Sequence, residues 1–132
     1  MSVLRGKRVL VADDEPCIRF CVAYELEDDG SEVVEATDGA EALDLIAGDA
    51  RIAALVTDVR MPNMDGWTLA ERVRELRPGL PVLYITGHSD VSARPVAGSH
   101  VLAKPFRSLA VRTSLATLMS DARTTADYLG GG

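Results

Sequence analysis

Five short apolar runs recur along the chain, each ending on or beside a polar residue, with helix-like stretches between them. They are Arg8–Ala12 (RVLVA), Glu32–Ala36 (EVVEA), Ile52–Thr57 (IAALVT), Pro81–Thr86 (PVLYIT) and Val101–Ala103 (VLA). Runs this short and rich in Val, Ile and Leu are strands, and the third is apolar on both faces, as a strand covered from both sides must be. Helical patterns fill about Pro16–Asp29, Ala40–Ala47, Trp67–Leu76 and Leu109–Thr124. Pro16 suits a first helical turn, where its missing N–H would find no partner anyway. Gly30 and Gly48 stop the first two helices.

Strand and helix in alternation call for a parallel sheet, because parallel neighbours are joined by crossovers that lay helices on its faces. The fold class is therefore α/β, a doubly wound five-stranded parallel sheet. One domain is expected over 1–132, with its core at about 7–124 and a flexible tail at about 125–132. His88–Gly98 carries Arg94, Pro95 and Gly98 and is weakly helical at best, so the fourth helix should be shortened or irregular.

Of 132 residues, 47% are hydrophobic and 26% charged, the balance of an ordinary folded domain. The apolar runs are too short to cross a bilayer, and no cleavage-type segment follows Met1–Lys7, so a cytoplasmic protein is expected. A net charge of −6 argues against nucleic-acid binding, which relies on Lys and Arg to neutralise phosphates. Cys17 and Cys21, four positions apart, read as small core residues of the first helix beside Ile18, Val22 and Leu26. Trp67, at the start of the third helix, reads as a packing or contact residue.

The chemistry collects at strand ends. Asp13 and Asp14 follow the first strand, Asp58 closes the third, Thr86 closes the fourth, and Lys104 follows the fifth. In an open parallel sheet these ends share one edge, where ligands bind. Singly, Asp14 would be a helix cap, Asp58 a turn former, and Thr86 and Lys104 solvated groups; their joint placement argues for a site. Three carboxylates at close range repel by about 1–4 kcal/mol per pair at about 4 Å, so they take up protons or hold a cation. Oxygen-only ligands suit Mg²⁺, with Mn²⁺ as the alternative. Asp58 could then act as a nucleophile toward phosphorus, while the cation, Lys104 and Thr86 stabilise phosphoryl oxygens.

The runs VLVADDEP (9–16), TDVRMPNMDGW (57–67), YITG (84–87) and AKPF (103–106) resemble the receiver domains of two-component response regulators, which are CheY-like. The resemblance spans about Lys7 to Thr124. It implies the flavodoxin-like (βα)5 receiver fold, phosphorylation of Asp58 with Mg²⁺ held by Asp13, Asp14, Asp58 and the backbone carbonyl of Arg60, and Thr86 and Lys104 as catalytic partners. It also implies a cis Lys104–Pro105 peptide. The implied partners are a sensor histidine kinase or histidine phosphotransferase and an unidentified downstream protein, reached by a monomer or weak dimer. Two departures stand out. Val101 occupies the position where most receivers carry a switching aromatic, and Thr86 and Lys104 stand only 18 positions apart. Tyr84–His88 is similar instead to a subgroup with a Thr-Gly motif and a reduced fourth helix. Arg60 and His88 should border the water path to a phosphorylated Asp58, and Gly87 permits close backbone approach beside it.

Two other classes share the chemistry or the fold. A haloacid-dehalogenase-like phosphatase also has an Asp nucleophile and Mg²⁺, but places two Asp residues two apart after strand 1, where this chain has Asp13-Asp14-Glu15. A flavodoxin-like electron carrier needs a Thr/Ser/Gly-rich phosphate loop that is missing there. Within the receiver reading, the chain could be free-standing, a phosphate sink, or cut from a hybrid kinase; the initiating Met1 and short tail favour the first.

Overall fold

The alternation of strand and helix is realised almost residue for residue. The computed structural model describes residues 3–87, 93–103 and 108–129. In chain order these form β1 (Arg8–Ala12), α1 (Pro16–Asp28), β2 (Glu32–Ala36), α2 (Gly39–Gly48), β3 (Ile52–Asp58), α3 (Gly66–Leu76), β4 (Val82–Thr86), β5 (His100–Ala103) and α4 (Ser108–Leu129). The strands pair in parallel in the order β2-β1-β3-β4-β5. Reversal of direction beside β1 opens a crevice at the carboxyl ends of β1 and β3, as doubly wound sheets do.

Strand side chains alternate between two faces, and each face has its own core. Leu10, Ala12, Leu55, Val82 and Tyr84 pack with Ala42 and Ile46 of α2 and Trp67, Leu69, Ala70 and Val73 of α3. Val9, Val11, Ala54, Val56, Leu83 and Ile85 pack with Val22 and Leu26 of α1 and Val111, Leu115 and Leu118 of α4. Each fully buried Val, Leu or Ile contributes about 1.5–3 kcal/mol by leaving water, and each Ala less. Asp38 caps α2 by accepting from the Glu41 N–H at 2.8 Å, and Asp65 caps α3 by accepting from the Thr68 N–H at 2.8 Å. Arg112 joins α4 to α1 through Glu25 at 2.7 Å and Asp28 at 3.1 Å.

One expectation is corrected. Cys17 and Cys21 are exposed, because Val22, Ala23 and Leu26 turn the opposite side of α1 to the sheet. Phe20 and Tyr24 share that outward side, so α1 is apolar on both faces and periodicity alone did not tell them apart. α4 runs from Ser108 to Leu129, and no Gly or Pro interrupts the sequence there before Gly130.

Between β4 and β5, the described residues 93–99 contain no helix, in line with the expected irregularity. Side chains fasten the segment instead. The Tyr84 hydroxyl accepts from the Val96 N–H at 3.0 Å, and Ser99 Oγ donates to the Val96 carbonyl at 2.6 Å. Arg94 reaches Thr68 Oγ1 at 3.1 Å and Glu71 at 3.4 Å on α3. The Tyr84 ring lies 4.4 Å from that of Trp67, tilted by 51°. Its phenol is held above the ordinary range, chiefly because burial disfavours the phenolate.

Tyr84→Phe should lower stability by about 1 kcal/mol in urea unfolding and speed exchange of the Val96 amide, since an N–H loses its acceptor. A raised folded-state pKa contributes stability that is complete below the unfolded value of about 10 and fades as pH rises through the folded one. The difference between wild type and Tyr84→Phe should therefore shrink above about pH 10.

Candidate functional site

Strand register alone brings the acids together. Ala12 pairs with Thr57, so Asp13 and Asp58, one residue further on, stand level at the ends of β1 and β3. Asp58 in turn pairs with Ile85, which places Thr86 at the same edge of β4. Asp13, Asp58 and Thr86 are all buried, at 2%, 8% and 8% exposure, whereas Asp14 faces solvent. Carboxylate oxygens of Asp13, Asp14 and Asp58 lie within 4.8 Å of one another.

Backbone donors hold the two buried acids. The Glu15 N–H donates to Asp13 Oδ1 at 2.9 Å, and the Val59 N–H donates to Asp58 Oδ1 at 2.9 Å. These bonds favour the ionised carboxylates and fix their orientation. An all-oxygen cluster anchored on two sides and open through Asp14 fits a hard divalent cation, which takes few protein ligands and keeps several waters. The acid triad is of the kind that receivers use for Mg²⁺.

Asp14 and Arg60 border a shallow cleft with Val59, Met61, Pro62 and Asp65. The loop beneath it is tightly wound: Asn63 adopts φ = 70°, the Met64 N–H donates to the Pro62 carbonyl at 2.8 Å, and the Gly66 N–H to the Val59 carbonyl at 2.8 Å. Asn tolerates the left-handed conformation better than most side chains. Gly66 is required by space. A Cβ built there would stand 2.2 Å from the Asp58 carbonyl oxygen and 3.0 Å from Val59 Cα.

Gly87 is exposed directly after Thr86, and Val101 is 48% exposed on β5, where it pairs with Tyr84. The expectations for His88, Lys104 and the Lys104–Pro105 peptide fall outside the described residues. β5 does run level with β4, since Thr86 pairs with Ala103, the residue before Lys104. Sequence reasoning missed Gly66, the cleft residue Asp65, and Arg19, whose Nη1 donates to the Asp13 carbonyl at 2.9 Å. Arg19 carried a faint signal, standing one helical turn beyond Glu15; the role of Gly66 needs the folded loop.

Gly66→Ala should cost about 1–3 kcal/mol in urea unfolding, because the methyl group displaces the Asp58 and Val59 backbone rather than a pliant side chain. The Asp58 and Val59 amides should show the largest NMR shift changes away from the substitution itself.

Comparison with known proteins agrees with this geometry. Residues 9–116 match the family model described as response regulator receiver domain. The chain is 39% identical over 125 residues to the response regulator MprA of Mycolicibacterium vanbaalenii, covering 91% of this chain and 52% of that protein. It thus spans about half the length of the curated relatives it matches. Among solved structures it is similar to a response regulator receiver protein of Sinorhizobium medicae, with 33% identity, a TM-score of 0.84, and coverage of 90% of this chain and 98% of that one. Vibrio cholerae chemotaxis protein CheY4 gives 29% identity and a TM-score of 0.76, covering 86% and 98%. With a receiver's sheet order and acid triad, the chain belongs to the response regulator receiver domain family, whose members are two-component signalling modules phosphorylated by histidine kinases rather than classical enzymes.

Proposed function

We propose that this chain accepts a phosphoryl group on Asp58 in a Mg²⁺-dependent reaction and uses the modified state to change its protein contacts. The observation that carries this is the convergence of Asp13, Asp14 and Asp58 within 4.8 Å, level with Thr86. In this reading an Asp58 carboxylate oxygen attacks phosphorus, a P–O bond forms, and the P–N bond to the donor's imidazole breaks as that ring takes a proton. The backbone donor from Val59 keeps the Asp58 carboxylate turned toward the crevice. Asp13, Asp14, Asp58 and the Arg60 carbonyl are the proposed ligands of Mg²⁺ (Mn²⁺ as substitute), which supplies charge neutralisation for the phosphoryl oxygens. Lys104 is assigned the same electrostatic task and Thr86 a hydrogen bond to one oxygen.

The donor is a histidine kinase or histidine phosphotransferase, and the output is contact with another protein in the cytoplasm, without nucleic acid. No helix among the described residues is long and apolar enough to cross a membrane. The Thr-Gly motif, the exposed Val101 and the non-helical 93–99 segment support the subgroup without an aromatic switch. Arg60 and His88 are proposed to tune the lifetime of the aspartyl phosphate from either side.

Incubation with phosphoramidate or acetyl phosphate and Mg²⁺ should add one labile phosphoryl group by intact mass to wild type and none to Asp58→Ala or in EDTA. Saturating Mg²⁺ should raise wild-type stability, by about 2.7 kcal/mol at 100 times the dissociation constant. Asp13→Asn should lose that gain while being more stable than wild type in EDTA, because one member of a repelling trio is neutralised. Arg60→Ala should change the dephosphorylation rate measured by the decay of the mass adduct.

A further inference from the structure

Arg19 joins three elements at the acidic edge. Its guanidinium is largely buried, with the side chain 11% exposed. Nη1 donates to the Asp13 carbonyl at 2.9 Å, and Nε donates to Glu35 Oε1 on β2 at 3.0 Å. The Arg19 backbone N–H donates to the Glu15 carbonyl at 3.0 Å in the first turn of α1. Asp13 is meanwhile held through its own N–H, which donates to the Ala36 carbonyl at 3.1 Å, and through Oδ1, which accepts from Glu15.

We propose that Arg19 is a positioning residue for the acid cluster: with Glu35 it braces Asp13 so that its carboxylate keeps the orientation a divalent cation needs. The inference rests on the Mg²⁺ reading above. Asp13 sits where the chain leaves β1 and enters the turn to α1, with two like-charged carboxylates within 4.8 Å. Repulsion pushes such a group outward unless its backbone is fixed on both sides. β2 fixes the N–H side, and Arg19 fixes the carbonyl side. Arginine suits the task because its planar fork offers donors along two edges, so Nε and Nη1 serve two acceptors at once; a Lys ammonium on a flexible stem does not reproduce that geometry. The buried guanidinium is paired with Glu35, so the brace adds no net charge and leaves the cluster's attraction for a cation intact.

The charge-balanced variant Arg19→Gln/Glu35→Gln separates bracing from electrostatics. In metal-free protein, hydrogen exchange at the Asp13 and Glu15 amides should speed up about tenfold, while Leu10 and Leu55 amides in the sheet centre stay unchanged. The Mg²⁺ dissociation constant from calorimetric titration should rise about tenfold, the scale on which outer supports of metal ligands act. Arg19→Lys, which keeps the charge but not the fork, should fall between wild type and the double variant. Unchanged exchange at Asp13 and Glu15, or an unchanged Mg²⁺ dissociation constant in the double variant, would overturn the brace. Uniformly faster exchange that includes Leu10 and Leu55 would overturn it too, by showing a general loss of stability. A wild type that gains no phosphoryl adduct would overturn the phosphorylation reading, and the exchange data would still decide the brace.

Discussion

Mutual repulsion of three carboxylates is the constraint to which the rest of this molecule answers. At about 4 Å each pair costs from about 1 kcal/mol in a watery setting to about 4 kcal/mol near a protein surface. Asp13, Asp14 and Asp58 are nevertheless held within 4.8 Å, two of them buried. A pliant scaffold would let them part. Here the acids hang from the ends of β1 and β3, which are locked side by side by parallel register and covered on both faces by close-packed apolar side chains. Backbone donors from Glu15 and Val59 then help to fix the carboxylate planes. Destabilisation at the site and rigidity beneath it are two sides of one arrangement, and a divalent cation relieves the first without disturbing the second.

The far side of the site is built differently. β4 carries Thr86 at its end and Tyr84 two residues earlier, so the two project on the same side of the strand, yet Tyr84 is tied to Val96 and Trp67. A side chain that would otherwise only fill the core thus links the strand beneath Thr86 to the non-helical residues 93–99. Arg94 adds contacts to α3, but at half exposure each is worth at most about 1 kcal/mol. Among the described residues, 93–99 is fastened through the buried Tyr84 phenol and the packing of Val96.

Legibility in the sequence followed from the range of the interactions involved. Strand limits were readable to within a residue because a buried parallel strand has to be apolar along its length: Ile52–Thr57 became Ile52–Asp58, and Pro81–Thr86 became Val82–Thr86. The acid cluster was readable because strand ends in this topology converge whatever their separation in sequence. What failed depended on orientation. Cys17 and Cys21 were assigned to the core because α1 has apolar residues on both faces, and composition could not say which face meets the sheet. Gly66 and Arg19 matter through contacts with Asp58 and Asp13 that exist only once the loop and the first helical turn are closed.

The arrangement of the remaining charges completes the electrostatic picture. Arg8 pairs with Glu32 and Asp49, Arg19 with Glu35, Arg94 with Asp65 and Glu71, and Arg112 with Glu25, Asp28 and Asp29. Each joins one element to another, Arg19 at the acidic edge and the others around the periphery. Arg8 and Arg112 are held above their ordinary range by these partners, first of all by hydrogen bonds to Glu32 and Glu25. These pairs use acids outside the triad, so the arginines that staple one element to another do not compete with a cation for it.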